Sequence, residues 1–474
     1  MDAEEFQRAS QALVQWLAEY RQTVERFPVQ SALVPGQVRA GLPATVPEQG
    51  EPFDQIMEDF KNLVLPGITH WQHPGFMGYF PAGASSASIL GELLSAGLGV
   101  QGMLWETSPA CTELEMQVMD YLVDLLGLPR AFHSSGSGGG VIEDSASSAM
   151  LCALVAARER ITGGTSRLQG SPPGLVLYAS IEAHSSVEKA ALIAGVGTRN
   201  LRKIPVDEQH ALRADLLALQ IEQDRAAGLT PFMVVATVGT TSTLAVDPLA
   251  AMGPLCRQHG LWLHVDAAML GSAALCPEFK SVHQGLEWAD SYCTNPHKWL
   301  LTNFDCDCFF VARRESLTTA LELTPPYLDN NHSRSGKVTD YRNWQIPLGR
   351  RFRALKLWFV LRAFGREGLQ KYLRRGVALA AWLSEQIAAH PEFELVVPTN
   401  YNLVVFRCRG DDGRNQALER AVNATGQVLI SHTVVKGQWC LRACIGQEDT
   451  ERRHVERLWE ILQVTSSAKT PPHD

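Results

Sequence analysis

Apolar residues first recur at helical spacing. Phe6, Leu13, Trp16, Leu17, Tyr20 and Val24 fall on one face of a helix predicted over residues 4–27. Pro28, Pro35, Gly36, Pro43 and Pro47 then break the chain into turns. A helix with a proline-rich tail has no core of its own, so this segment must pack on another domain or subunit. From about residue 85 to 310 short β-rich runs alternate with helical stretches. The runs predict strands at Gly174–Ala179, Phe232–Thr237, Leu261–Val265, Ser291–Thr294 and Cys308–Ala312. Between them helices are predicted at Ser145–Arg160, Ser185–Ala194, Arg213–Ala227 and Pro248–Gln258. That alternation predicts an α/β domain with a mainly parallel sheet.

Residues 313–350 are polar and carry Pro325, Pro326, Gly336 and Pro347, the signature of an exposed loop over part of this stretch. Helical spacing returns at 351–387. Strands near Phe393–Val397, Leu403–Arg407 and Trp439–Ala443 and a helix at 449–464 predict a smaller α+β domain at the end. In a parallel sheet ligands bind beyond the carboxyl ends of the strands, so polar residues just after these strands carry the most functional weight.

Composition narrows the function classes. The chain has 474 residues, 45% hydrophobic and 19% charged, a globular balance that excludes wholesale disorder. Its net charge of −8 comes without long runs of one sign, which argues against a nucleic-acid or anionic-membrane surface. The most apolar stretch, Ile89–Leu104, is interrupted by Glu92 and glycines and falls short of a membrane span. The acidic start, MDAEEFQRAS, does not read as a signal peptide. The ten cysteines are scattered without zinc-ligand spacing and read as reduced thiols of a cytoplasmic protein. No metal is expected.

Four elements carry candidate chemistry. In the run from Gly136 to Val155, glycines lead into Ser145, Ala146 and Ser147 at a helix start, where N–H groups and hydroxyls suit a phosphate. Alone, this run also reads as a serine-capped loop or a nucleotide-binding turn. Asp266 ends the apolar strand of L261-W-L-H-V-D and needs a partner there. It could cap a turn or pair with the protonated ring nitrogen of a cofactor. Lys298, in N295-P-H-K-W-L-L, is flanked by apolar residues that would lower its pKa and free its amine for a Schiff base. His184 follows a strand and could stack on a flat ring, and Thr237–Thr241 puts small hydroxyls at another strand end. Together these are the equipment for pyridoxal phosphate (PLP).

The sequence resembles the group II PLP-dependent amino-acid decarboxylases, most closely those acting on aromatic L-amino acids. The likeness spans nearly the whole chain, through T69-H-W-Q-H-P-G-F, S108-P-A-C-T-E-L-E, H184-S-S-V-E-K-A, H264-V-D-A-A, N295-P-H-K-W-L-L and D340-Y-R-N-W-Q-I-P-L-G-R-R-F-R. It implies the aspartate aminotransferase-like fold (type I) of PLP enzymes. The expected parts are an N-terminal dimer-wrapping segment (1–84), a large cofactor domain (85–353) with a mobile catalytic loop at about 320–345, and a small α+β domain (354–474).

By resemblance, Lys298 forms the Schiff base, His184 stacks on the ring and orients the substrate carboxylate, and Asp266 pairs with the ring nitrogen above Ala268. Ser145, Ala146, Ser147, Thr241, Asn295 and His297 contact the cofactor or its surroundings. Tyr327 is the loop tyrosine that acts in the partner subunit's site. Trp71, Tyr79, Phe80, Pro81, Ala82, Met103, Phe304 and Gly349 fall at substrate positions. Ala82, Met103 and Met269 depart from common family residues, which leaves ring-substituent preference open. The implied reaction is decarboxylation of an aromatic L-amino acid (dopa, 5-hydroxytryptophan, tryptophan, tyrosine or phenylalanine) by a homodimer. Rivals are an aldehyde-forming oxidative deamination, opposed by Tyr327, a histidine or glutamate decarboxylase, opposed by Gly349, and a non-catalytic scaffold, opposed by Lys298.

Overall fold

The computed structural model describes residues 1–467. It divides into two compact units, one of residues 82–377 and one that combines residues 1–81 with the chain from Ala378 onward.

The larger unit is built on seven strands: β1 (Gly139–Glu143), β2 (Leu175–Ser180), β3 (Leu201–Ile204), β4 (Thr230–Thr237), β5 (Trp262–Asp266), β6 (Ser291–Thr294) and β7 (Asp307–Val311). Their order is β1-β7-β6-β5-β4-β2-β3. The pairs from β3 to β6 are parallel, and β7 is antiparallel to both β6 and β1. Every residue of β2, β5, β6 and β7 is buried, as expected of strands covered on both faces. The long helix Ala146–Thr162 starts at Ser145, whose side chain accepts the Ser148 N–H at 3.3 Å, and stops at Gly163 in the left-handed conformation. Its alanines and Met150 pack with Val141, Leu177, Val235, Cys293 and Phe309 in the main core.

In the other unit β8 (Phe393–Leu395), β9 (Leu403–Cys408), β10 (Ser431–Val435) and β11 (Gln438–Cys444) form an antiparallel sheet in the order β10-β11-β9-β8. The helix Arg452–Ser467 packs Val455, Leu458 and Leu462 onto its core. The N-terminal helix Ala3–Thr23 belongs to this unit and buries none of its residues.

The expected strands and helices are present with ends displaced by a few residues. Three strands were not legible as such. β1 lies within the glycine-led run read as a loop, and β3 and β10 carry exposed polar positions that dilute the β pattern. The stretch 313–350 is less open than its polarity predicts. It contains the helix Arg314–Leu321, and Tyr341 and Trp344 are buried in the core.

β2 is a central strand, and Leu177 in its middle is fully buried. Leu177→Ala should therefore lower unfolding free energy by about 2–5 kcal/mol, the usual cost of a core cavity. Urea denaturation of the purified protein measures it.

Candidate active site

The parallel register sets the site. Thr237 of β4 pairs with Asp266 of β5, and Asp266 pairs with Cys293 of β6, so three strands reach one level before the chain turns out of the sheet. Asp266 is buried, and its Oδ1 accepts the Ala268 N–H at 3.1 Å. Asn295 follows β6, donates its N–H to the Ala268 carbonyl at 3.1 Å, and opens the single helical turn Pro296–Trp299 that carries Lys298. Lys298 is half-buried between fully buried Trp299, Leu300 and Leu301 on one side and His297 on the other.

His297 is buried, and its Nδ1 accepts the Cys306 N–H at 2.9 Å. Its proton therefore sits on Nε2, which lies 2.9 Å from the Asn295 side-chain amide. Hydrogen-bond accounting then assigns the amide oxygen to His297 and leaves the NH2 of Asn295 to donate elsewhere. Burial and the nearby Lys298 push the His297 pKa down to about 3, so the ring is neutral at physiological pH.

His184, beyond β2, is exposed in the single chain. Its Nδ1 accepts the Ser186 N–H at 3.1 Å, so in the neutral ring Nε2 is the donor. Desolvation lowers its pKa; Asp266 opposes that shift and Lys298 adds to it, so the three share one electrostatic neighbourhood. At the end of β4, Gly239 has φ of +96°, and a Cβ there would meet Leu270 at 2.7 Å. Only glycine allows the turn that presents Thr240 and Thr241. Ser145, Ala146 and Ser147 stand at the N-terminus of the long helix, whose first N–H groups precede its intrahelical bonds.

Several expected substrate positions gather in the same unit. A Cβ on Gly83 would sit 3.7 Å from the Lys298 carbonyl, which places Ala82 beside the lysine turn. The Phe304 ring lies 4.6 Å from His297. The Gly102 N–H donates to the Arg350 carbonyl at 3.0 Å, and the Met103 carbonyl accepts the Arg342 N–H at 3.1 Å, so both chain segments that carry Met103 and Gly349 are tied together. The space beside Gly349 is bounded by Gln101, whose amide nitrogen would be 3.3 Å from an added Cβ. Gln101 is a residue that sequence reasoning missed, and no spacing signal marks it. Tyr327 is 76% exposed on its loop and is not part of the buried Asp266–Asn295–His297 group. That loop is held at its base by the Arg342 guanidinium on the Leu323 carbonyl (2.8 Å) and by Asp340 on the Trp105 N–H (3.0 Å). Trp71, Tyr79, Phe80 and Pro81 belong to the other unit. There the Trp71 and Tyr79 rings stack at 5.9 Å, and Arg442 lies over Phe80.

The donor set suits an aromatic cation carrying a phosphate. A buried carboxylate meets a protonated ring nitrogen, a helix N-terminus and the Asn295 amide meet an anion, and a primary amine stands beside them. The comparisons agree. Residues 35–409 match the pyridoxal-dependent decarboxylase conserved domain. The aromatic-L-amino-acid decarboxylase of Sus scrofa is 45% identical over 98% of this chain and 96% of its own. The phenylacetaldehyde synthase of Arabidopsis thaliana is 44% identical over 98% and 97%. A Catharanthus roseus tryptophan decarboxylase, solved in complex with L-tryptophan, superposes with a TM-score of 0.93 at 42% identity over 98% of each chain. The chain belongs to the pyridoxal-dependent decarboxylase family. It has that family's PLP-enzyme fold, and its cofactor is pyridoxal phosphate.

Two outcomes are expected. Asp266→Asn should weaken cofactor retention and lower turnover by orders of magnitude, because it removes the buried negative charge suited to a protonated ring nitrogen; dialysis followed by cofactor quantitation and saturation kinetics checks this. The second concerns pH. His264 and His283 are held at about 4, and His297 at about 3, by burial. The unfolded chain binds these protons near pH 6.5, so it takes up more protons than the folded chain as pH falls, and these sites lose stability from about pH 6.5 toward 4. Denaturation midpoints at pH 7 and pH 5 should show the drop, and His297→Gln should reduce it.

Proposed function

We propose that this enzyme decarboxylates aromatic L-amino acids to the corresponding amines, as a cytoplasmic homodimer with shared active sites. The observation that carries this reading is the convergence of Lys298, Asp266 and His184 at the strand ends of a chain 42–45% identical to aromatic-L-amino-acid decarboxylases over nearly its whole length.

When bound, pyridoxal phosphate supplies a carbonyl that condenses with amines and a conjugated ring that accepts the electron pair of the broken Cα–carboxylate bond. Lys298 would hold the cofactor through its amine. Asp266 holds the ring-nitrogen proton in place, which keeps the ring electron-poor. Ser145, Ala146, Ser147, Thr241 and the Asn295 amide hold the phosphate end and its surroundings, with His297 fixing Asn295. His184 would hold the cofactor ring beside its imidazole and offer its Nε2–H to the substrate carboxylate, and Ala268 would adjoin the same ring. Ala82, Met103, Phe304 and Gly349 line the substrate pocket, whose apolar parts favour loss of the carboxylate charge; Trp71, Tyr79, Phe80 and Pro81 are further candidate substrate contacts by resemblance. Tyr327, at the tip of a closing loop of the partner subunit, protonates Cα.

The dimer reading is supported by apolar residues left on the surface of the single chain. The first helix exposes Phe6 and Val14, and the helix Ser86–Leu98 exposes Leu90, Leu93, Leu94 and Leu98. Residues 1–84 wrap the partner in this reading. All ten cysteines are free and buried, which supports a reducing compartment. Among the described residues no helix is long and apolar enough to cross a membrane.

A competition assay with dopa, 5-hydroxytryptophan, tryptophan, tyrosine, phenylalanine, histidine and glutamate tests the substrate class. At least one aromatic acid should be consumed about 100-fold faster than histidine or glutamate, with its amine identified by mass. Preference for either non-aromatic acid would refute it. Tyr327→Phe should still release CO2 but yield aldehyde and hydrogen peroxide under air at the expense of amine; wild-type amine yield would reduce Tyr327 to a packing residue.

A further inference from the structure

Gln101 follows the helix Ser86–Leu98 and is locked to the segment that carries Gly349. Its Oε1 accepts the Arg350 N–H at 2.6 Å, and the next residue, Gly102, donates its N–H to the Arg350 carbonyl at 3.0 Å. The Thr107 hydroxyl holds its backbone, donating to the Gln101 carbonyl at 2.8 Å. The amide oxygen is therefore committed, and the free end of the side chain is the NH2. That end borders the space over Gly349. A Cβ built on Gly349 would lie 3.3 Å from Nε2, nearer than the 3.9 Å to Oε1 or the 4.0 Å to Cδ. Among the described residues no acceptor meets this NH2.

The frame that carries the amide also holds the candidate site. The buried Arg350 guanidinium pairs with Glu115 at 2.6 Å and donates to the Ile142 carbonyl at 3.2 Å, on the strand that leads to Ser145. Glu115 in turn accepts the Ile142 N–H at 2.8 Å. On the other side, Arg353 grips both carboxylate oxygens of Asp305, at 3.1 and 3.0 Å. Asp305 stands between Phe304, whose ring lies 4.6 Å from His297, and Cys306, whose N–H holds the His297 ring. One short segment thus anchors Gly349 and Gln101 to the end of β1 and to the loop packed on His297. The approach to Gly349 is apolar, through Ile346, Pro347 and Leu348, and Ile346, Leu348 and Phe304 are exposed on the single chain. A fixed donor set in apolar surroundings is how a pocket orients a ligand.

We propose that Gln101 is a specificity-determining residue that selects aromatic amino acids carrying an oxygen on the ring, by donating its amide N–H to that oxygen. Glycine at 349 leaves the room a flat ring needs. A bare ring filling that room would strip water from the NH2 and return nothing, whereas a ring hydroxyl restores the lost bond. The bond from Oε1 to Arg350 holds the donor in place, so little order is lost when the ring arrives. This rests on the reading that Gly349 lines the substrate pocket of an aromatic amino-acid decarboxylase.

Steady-state kcat/KM of the holoenzyme for matched substrates tests it. Tyrosine should be used about tenfold better than phenylalanine or 4-methylphenylalanine, or 5-hydroxytryptophan about tenfold better than tryptophan or 5-methyltryptophan. The methyl analogues match the hydroxyl in size and cannot accept a hydrogen bond. Gln101→Leu should bring the favoured pair to within about twofold by lowering kcat/KM for the hydroxylated acid alone. Thermal unfolding and cofactor absorbance confirm that the variant is a folded holoenzyme. An equal fall for both members of the pair would mean that Gln101 only braces Arg350, and an unchanged ratio would mean that it does not meet the ring; either result overturns the proposal. The wild-type comparison needs no variant: parity of each hydroxylated acid with its methyl analogue overturns it as well. The two readings fail differently. Turnover of aromatic acids without ring preference removes only the role of Gln101, whereas no turnover of any aromatic acid refutes the substrate class and this inference with it.

Discussion

A carboxylate at the end of a buried strand must be answered by hydrogen-bond donors or a positive charge, and Asp266 sets this constraint for the whole site. β5 is buried along its length, so Asp266 emerges into an interior where only neighbouring strand ends can reach it. The parallel register brings Thr237 and Cys293 to its level, and the Ala268–Asn295 bond ties the two following turns together. Lys298 is carried on the second of those turns. The position of the amine relative to the carboxylate is thus a consequence of strand register and not of loop conformation, which is how a site stays rigid.

The protonation states follow from this enclosure. His297 stays neutral because burial and Lys298 both oppose its charge, and its fixed tautomer decides which way Asn295 presents its amide. His184 donates through Nε2 because the Ser186 N–H occupies Nδ1. The buried Asp266 carboxylate and the helix start at Ser145 suit a ligand with a cationic ring nitrogen at one end and an anion at the other.

Much of this was legible in the sequence because buried strands announce themselves by composition. W262-L-H-V-D and S291-Y-C-T followed by polar residues point to Asp266 and Lys298 before any coordinates. What was hidden has physical reasons. β1 is led by glycines, which weaken any strand signal, so its terminal Glu143 looked like a loop residue and its partner Asp307 could not be inferred. Gln101 faces Gly349 through a contact between segments far apart in the chain, which periodicity does not record. Tyr341 and Trp344 are buried although their neighbours are polar, because Asp340, Arg342 and Gln345 are buried with them, which polarity along the chain does not record.

The central claim is that Lys298 is the amine that holds pyridoxal phosphate. Borohydride reduction of the holoenzyme followed by proteolysis and mass spectrometry of the peptides tests it without any substitution. The account predicts a phosphopyridoxyl adduct on the peptide containing Asn295–Leu301, at Lys298. An adduct on any other lysine, with Lys298 unmodified, would contradict it.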